Sequence, residues 1–123
     1  MLKDNLYQLK SIEKLQENSF NVQIHLDKEH DIFKGHFPGN PVLPGVCMVQ
    51  IMKEISSKIT QENLQLKTSK SIKFLELINP NENPNLDLKL EITEKTNSNI
   101  IIKNTCYFQD VIALRMQVNY KIL

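Results

Sequence analysis

Several residue types are scarce in this chain of 123 residues, and each scarcity excludes a class of protein. There are two cysteines, three glycines, one arginine and no tryptophan. Cys47 and Cys106 have no metal-type spacing, so the sequence predicts reduced thiols and neither a disulfide framework nor a zinc site. With Arg115 as the only arginine and a formal net charge of +1, bidentate recognition of phosphates or nucleic-acid bases is disfavoured.

Long apolar runs are also missing. No stretch approaches the roughly 18–20 apolar residues of a membrane span, and residues 1–5 contain no apolar signal segment. Apolar residues make up 41% and charged residues 24% of the chain, an ordinary balance for a soluble domain. We therefore expect a single cytoplasmic domain, 1–123, without a metal or a cofactor.

Much of the chain alternates between apolar and polar residues, which is typical of strands with one buried face. Leu86, Leu88, Leu90 and Ile92, for example, are separated by polar or charged residues. The Gln109-Asp110 pair between two such segments has the composition of a turn. The predicted strands are 6–15, 20–27, 69–78, 86–93, 99–109 and 112–122.

One segment, 45–62, follows a different period. Ile51, Ile55 and Ile59 recur every four residues, which predicts a helix. Its first two turns are apolar nearly all round, so we expect it to be buried on most sides. One helix among many strands predicts an α+β fold in which an antiparallel sheet of five to six strands wraps around one long central helix. The open edges of such a sheet favour pairing with a second copy.

The segment 33–46, which precedes and enters this helix, is the strongest functional candidate. It contains all three glycines, at positions 35, 39 and 45, and three of the five prolines. Glycine and proline in this density indicate a shaped, stiff backbone. His36 lies within it, close to a helix N-terminus that favours negative charge. A lone histidine is commonly structural, but this pattern favours a proton-transfer site beside an oxyanion-stabilising helix end.

The same segment, Phe33-x-Gly-His-Phe-Pro-Gly-x-Pro-x-x-Pro-Gly-Val46, resembles the signature of the 3-hydroxyacyl-acyl-carrier-protein dehydratases of the FabA/FabZ type. The resemblance implies a hotdog fold and a homodimer. It also implies dehydration of a 3-hydroxyacyl thioester to the trans-2-enoyl form, in fatty acid or related acyl-chain biosynthesis. A shorter N-terminal segment than the family usually has suggests a different preference for chain length.

The resemblance also assigns roles to individual residues. His36 is expected to take the α-proton, and the backbone N–H of Gly45 is expected to polarise the thioester carbonyl. Phe37, Pro38 and Val46 flank these groups in the substrate site. Apolar side chains beyond them are candidates for an acyl tunnel, although each could equally be plain core; they are Met48, Met52 and Phe74.

One position departs from the family pattern. The catalytic carboxylic acid of the family stands fourteen residues after the histidine, where this chain has Gln50. Glutamine orients a group by hydrogen bonds but has no titrating proton, and loss of a general acid typically costs about 10²–10⁴ in rate. Glu54 is one helical turn further on. It could act through a water, His36 could serve as base and then acid, or Glu54 could simply be solvated.

Three functions therefore remain open. A dehydratase is favoured; a hotdog thioesterase with Glu54 as the water-activating carboxylate is the second; a non-catalytic subunit that pairs with an active paralogue is the third. The expected partner is acyl carrier protein, which is acidic. The candidate basic docking residues are Lys34, Lys67, Lys70, Lys73 and Arg115.

Overall fold

The computed structural model describes residues 6–35 and 39–123, and these form six antiparallel strands and two helices. The strands are β1 (Tyr7–Gln16), β2 (Ser19–Leu26), β3 (Leu64–Phe74), β4 (Asn85–Lys95), β5 (Asn99–Phe108) and β6 (Val111–Ile122). The helices are α1 (Asp31–Gly35) and α2 (Gly45–Thr60). The six strands form a single sheet in the order β1-β2-β4-β5-β6-β3, so β1 and β3 are its two edges.

The alternating residues of the central strands place one face of this sheet in the core. Leu86, Leu88 and Leu90 of β4 are all buried, and so are the inward residues of β5 and β6. The turn at Gln109 and Asp110 joins β5 to β6, and both residues have positive φ values of 52° and 65°. Two such residues in succession suit the right-handed twist of a tight hairpin. The predicted turn is confirmed at this position.

Helix α2 contributes its apolar stripe to the same core. Cys47, Met48, Ile51, Met52 and Ile55 are all buried and belong to one hydrophobic cluster with the inward residues of the strands. The helix is therefore held by packing, since a 16-residue segment has little helical stability by itself.

The predicted helix is confirmed over residues 45–60, but its predicted end at residue 62 and its description as long were not. The helix has 16 residues and ends at Thr60, because Gln61 adopts the left-handed conformation with φ 58° and its N–H bonds the carbonyl of Ser57. This is the usual geometry of a helix C-terminus, although glycine is the more common residue there.

The predicted strand 69–78 was wrong at both ends, since β3 runs from Leu64 to Phe74. Register shifts between Leu66 and Thr68 and between Ser69 and Ser71 disturb its alternation. Its later predicted part is a loop in which Ile78 is buried and accepts a hydrogen bond from Leu43 N–H at 2.9 Å. Irregular pairing at an edge strand thus explains the misplacement.

Helix α1 was not predicted; its last three residues lie in the segment 33–46, whose composition indicated a shaped, stiff backbone. His30 directly precedes α1 and caps its start: its ring Nδ1 accepts the N–H of Ile32 at 3.0 Å, and its carbonyl accepts the N–H of Phe33 at 3.1 Å. The buried side chain of Phe33 anchors this single turn in the core.

Among residues 6–35 and 39–123, no helix is long and apolar enough to cross a membrane.

Candidate active site

The chain enters α2 through the second half of the segment 33–46. His36, Phe37 and Pro38, three of the residues predicted for the site, lie outside the described residues. Gly39 has a φ of +78°, a conformation that glycine adopts without the strain of a side chain. Val42 and Leu43 are buried, so the chain is held against the core just before Pro44 and Gly45 begin the helix.

The N-terminus of α2 offers free hydrogen-bond donors. The carbonyl of Pro44 accepts the N–H groups of Cys47 and Met48 at 3.0 and 3.2 Å. The N–H groups of Gly45 and Val46 have no acceptor in the part of the chain that the structure describes. The first turn contains no acidic residue and Pro44 provides no side-chain cap, so nothing there offsets the partial positive charge of the helix end. This end can stabilise an oxyanion.

Gly45 has a side-chain neighbour that explains its identity. A Cβ atom at this position would lie 2.9 Å from both Cε1 and Cζ of Phe74. The Phe74 ring, 57% exposed at the end of β3, therefore rests on the backbone of the helix start. The absence of a side chain at Gly45 therefore allows the Phe74 ring to lie against the start of the helix.

The other predicted lining residues lie in different environments. Met48 and Met52 are fully buried within the core cluster. Val46 is 75% exposed although it opens an otherwise buried helix. Val46 and Phe74 are thus the apolar groups that the structure brings to the open side of the helix N-terminus.

Gln50 and Glu54 lie one turn apart on α2, and they contact each other. The Gln50 amide donates from Nε2 to Oε2 of Glu54 at 3.1 Å. The second carboxylate oxygen, Oε1, accepts the hydroxyl of Tyr7 at 2.8 Å. Tyr7 begins β1 and is 47 residues away in sequence. Glu54 is therefore not a freely solvated residue, as one of the sequence alternatives had it, but a carboxylate with a donor on each oxygen.

These three residues line one cavity of about 760 Å³ between the start of β1 and the outer face of α2. Lys53 and Lys58 also line it, but neither forms an ion pair with Glu54 within the described part of the chain. Burial, followed by the hydrogen bond and the charge of Glu54, raises the pKa of Tyr7 well above its ordinary value. Tyr7 therefore stays a neutral hydrogen-bond donor at any physiological pH.

Tyr7 was not among the residues predicted for the site. It occupies an ordinary position in a predicted strand, and its partner is known only once β1 and α2 are packed together. A lone tyrosine near a strand end gives no local signal for such a contact.

The predicted basic residues do not form one cluster of free charge. Lys34 pairs with Asp31 at 3.2 Å within α1, which reduces its value for docking. Lys67 donates to the side chain of Asn99 at 3.5 Å. Lys73 lies directly opposite Arg115 across the β3–β6 pair, and like charges in that position are unfavourable unless a partner neutralises them.

Both cysteines are buried and unpaired. Burial raises the pKa of the Cys47 thiol, and it raises that of Cys106 to about 12, with Asp87 as a smaller cause. Neither thiol is therefore activated as a nucleophile. No group of three or more histidine, cysteine or acidic side chains within residues 6–35 and 39–123 could hold a metal ion.

The family model described as ApeI-like, ApeI dehydratase, matches residues 11–110 of the chain. Two curated relatives are 3-hydroxyacyl-[acyl-carrier-protein] dehydratases FabZ, each 31% identical to the chain. The relative from Erythrobacter litoralis matches over 100 residues, 72% of this chain and 66% of the relative. The relative from Novosphingobium aromaticivorans matches over 101 residues, 72% and 63%. The chain thus spans slightly less than two thirds of the length of these relatives.

Solved structures show the same fold at lower identity. The dehydratase heterocomplex ApeI:P from Xenorhabdus doucetiae matches with a TM-score of 0.72 and 20% identity, over 93% of this chain and 96% of that one. A hypothetical thioesterase with coenzyme A from Streptococcus pneumoniae matches with a TM-score of 0.69 and 15% identity, over 95% and 85%. Together with the six-stranded antiparallel sheet, these matches confirm the predicted hotdog type of fold.

Proposed function

We propose, from the premise that this chain belongs to the ApeI-like dehydratase family, that it dehydrates a 3-hydroxyacyl thioester to the trans-2-enoyl thioester. The observation that carries the proposal is the N-terminus of α2, where the N–H groups of Gly45 and Val46 have no acceptor among residues 6–35 and 39–123. Removal of the α-proton turns the thioester into an enolate-like species, and its charge develops on the carbonyl oxygen. Free N–H groups at a helix end stabilise such an oxyanion.

His36 is the proposed base. This assignment rests on its place in the Gly-His-Phe-Pro-Gly motif. The imidazole removes the α-proton, the β-hydroxyl leaves with a second proton as water, and the double bond forms between the two carbons. Phe37 and Pro38 of the same motif are proposed to shape the substrate site, together with the exposed Val46 and Phe74. Met48 and Met52 are proposed to act from the core, as backing for the acyl chain.

The second proton needs a donor, because Gln50 has none to give. Glu54 is held within hydrogen-bonding distance of Gln50; in one route it first takes up a proton from solvent in the substrate complex and then passes that proton through a bound water to the departing hydroxyl. The alternative is that His36 returns the proton that it removed. In both routes Gln50 orients the leaving hydroxyl by hydrogen bonding.

The proposed substrate carrier is acyl carrier protein, the carrier that the FabZ relatives are named for. Lys67, Lys70, Lys73 and Arg115 are the proposed docking residues. The exposed side chains along and after the edge strand β3, namely Leu66, Phe74, Leu75 and Leu77, are proposed to be covered by a second copy or by a paralogue. Pairing with a paralogue is supported by the name of the ApeI:P heterocomplex, a protein of related fold.

We also propose that residues 1–123 act as one domain in the cytoplasm. The alternating strands and the helix share one hydrophobic cluster. The two unpaired cysteines suit a reducing compartment.

The direct test is turnover of purified protein on 3-hydroxyacyl carrier proteins of several chain lengths, followed by mass spectrometry of the enoyl product. We expect the protein to catalyse dehydration and His36→Ala to abolish it. Tyr107→Phe should leave the rate unchanged, because Tyr107 lies on the face of β5 that points away from the core. Absence of product at every chain length, with a folded protein, would reject the proposal.

A thioesterase is the second candidate, because Glu54 is a positioned carboxylate on α2. As a general base it would activate water for attack on the thioester carbon, with release of a free thiol. Release of thiol from acyl thioesters without a hydroxyl group, lost in Glu54→Ala but retained in Gln50→Met, would favour this reaction over dehydration.

A further inference from the structure

The Glu54 carboxylate is held between two elements that are far apart in sequence. Its Oε1 accepts the hydroxyl of Tyr7 from β1 at 2.8 Å, and its Oε2 accepts Nε2 of Gln50 from α2 at 3.1 Å. An ionised carboxylate can only accept hydrogen bonds. Both contacts therefore have a fixed direction, from Tyr7 and Gln50 toward Glu54.

This direction decides which end of the Gln50 amide is available. The amide has nearly the same shape when its oxygen and nitrogen are exchanged, and its terminal torsion is broad. Glu54 removes this ambiguity, because only the NH₂ end can face a carboxylate. The carbonyl oxygen of Gln50 must then point away from Glu54, and the structure gives this oxygen no protein partner within the described residues. Because Gln50 lines the cavity of about 760 Å³, we expect this oxygen to be available to a group bound there.

The Tyr7 hydroxyl holds the Glu54 carboxylate in the position where it bonds the Gln50 amide. Without the Tyr7 hydroxyl, the Glu54 side chain could rotate toward water or toward the ammonium groups of Lys53 and Lys58, which line the same cavity. The hydroxyl remains a donor because burial and the adjacent carboxylate disfavour its ionisation. Tyr7 therefore acts on Gln50 through Glu54.

We infer that Tyr7 is a positioning residue which, through Glu54, presents the carbonyl oxygen of Gln50 as an acceptor for the 3-hydroxyl group of the acyl chain. The inference rests on the proposed function for the identity of the substrate. It adds that the carbonyl oxygen of Gln50 is the protein group that distinguishes a 3-hydroxyacyl chain from a saturated one. Where the family places an acid that gives a proton, this chain places an amide that receives a hydrogen bond.

The test is a comparison of binding with two ligands that cannot react. One is the pantetheine amide of a medium-chain 3-hydroxy acid, with nitrogen in place of the thioester sulfur; the other is the same amide without the hydroxyl. Isothermal titration gives the ratio of their Kd values for each variant of the full chain. This ratio cancels general effects on folding and on binding of the acyl chain.

We expect wild-type protein to prefer the hydroxylated ligand and Gln50→Met to lose the preference. Tyr7→Phe and Glu54→Ala should each reduce the ratio about three- to tenfold, the size of one lost hydrogen bond. Tyr107→Phe is the matched control, since the Tyr107 hydroxyl has no hydrogen-bond partner within the described residues, and it should keep the wild-type ratio. If Tyr7→Phe does not fold, the Kd ratio of Glu54→Ala tests the inference alone. This variant should fold, because alanine is favourable in the interior of a helix.

Two results would overturn the inference: an unchanged ratio in both Tyr7→Phe and Glu54→Ala, or equal binding of the two ligands by wild-type protein. Neither depends on turnover. A protein that shows the expected ratios but no dehydration would contradict the proposed function and leave the inference about Gln50 intact.

Discussion

Two neighbouring regions of α2 are built by different kinds of interaction. At its first turn, the backbone provides the proposed binding groups: the N–H groups of Gly45 and Val46 have no acceptor in the described part of the chain, and Phe74 rests on a residue without a side chain. One to two turns later, side chains provide it: Tyr7, Gln50 and Glu54 form a chain of hydrogen bonds. The first region follows the family motif, and the second departs from it.

The comparison indicates that the side chains of the second region can change while the backbone of the first region is retained. The proposed oxyanion site depends on backbone geometry, so we expect it to tolerate few substitutions at Gly45. The side-chain region can exchange an acid for an amide one turn away while the helix keeps its buried stripe. We therefore expect the fold to constrain the type of reaction less than it constrains the proposed thioester site.

The largest expected effect comes from restoring a carboxyl group at position 50. Gln50→Glu places two carboxyl groups one turn apart, and they will share a proton, because close like charges raise the pKa of one of them. A shared proton is a general acid, so we expect the dehydration rate to rise by about 10²–10⁴, measured as kcat on 3-hydroxyacyl carrier protein.

The pH dependence provides the check on this explanation. The gain should be greatest at low pH and decline as the shared proton is lost. Because the raised pKa belongs to the folded state, the stability of the variant should also fall as pH rises through it. The double variant Gln50→Glu, Glu54→Gln should keep one carboxylic acid but have no second carboxyl group to share its proton. A rise in dehydration rate that is independent of pH in both variants would contradict the shared proton.

A second prediction concerns the packing that holds both regions on one helix. Ile51→Ala removes a fully buried side chain next to Gln50, and we expect a loss of about 2–5 kcal/mol in the free energy of unfolding. Val46→Ala truncates a side chain that is 75% exposed and should change stability by about 0.5 kcal/mol or less. Urea denaturation measures both, and similar losses in the two variants would show that α2 is not anchored through its buried stripe.

Much of the first region could be predicted from sequence because its signals are local. The glycine and proline spacing, the proline before the helix and the four-residue repeat of Ile51 and Ile55 all lie within one segment. Tyr7 could not be predicted as a partner of Glu54, since 47 residues separate them and the contact exists only when β1 is packed beside α2.

The strand bounds were also predicted well only where the local sequence signal was regular. Regular alternation located β4 and β6 closely, whereas the bulged edge strand β3 was misplaced because its register shifts break the alternation that the prediction used. The C-terminus of α2 was placed two residues too late, because Gln61 adopts a left-handed conformation that glycine or asparagine would have signalled more clearly.

A third prediction addresses the backbone region. In Gly45→Ala the new methyl group would lie 2.9 Å from the Phe74 ring, which must move because it is the exposed end of a side chain and the helix backbone is fixed. We expect kcat/KM to fall roughly tenfold through this displacement, with a change in stability of about 1 kcal/mol or less.

Gly35→Ala is the matched control for stability and ring position, since a methyl group there has no atom within 4 Å among the described residues other than its chain neighbours. A crystal structure of each variant should show the Phe74 ring displaced only in Gly45→Ala. Phe74→Ala should weaken the effect of Gly45→Ala, because the double variant has no ring to displace; additive losses would mean that Gly45 acts independently of Phe74.

The smallest expected effect concerns the ionisation of Tyr7. Its pKa is raised in the folded protein by burial and by Glu54, so the folded state holds the phenolic proton longer than the unfolded chain does. The resulting stability is complete below the unfolded pKa of about 10 and is lost as pH rises above it. Tyr120 and Cys106, whose pKa values are raised to about 12 by burial, add to the same alkaline loss.

Tyr7→Phe should therefore reduce the decline of stability above pH 10 by up to about 1.4 kcal/mol per pH unit, the contribution of one proton. Urea denaturation at several alkaline pH values measures this slope, with Tyr107→Phe as the control. An unchanged slope in Tyr7→Phe would mean that the hydroxyl is neither buried nor held against Glu54 in solution. The side-chain region would then be no more ordered than any solvated helix face, and the contrast with the Gly45 region would be greater than the structure indicates.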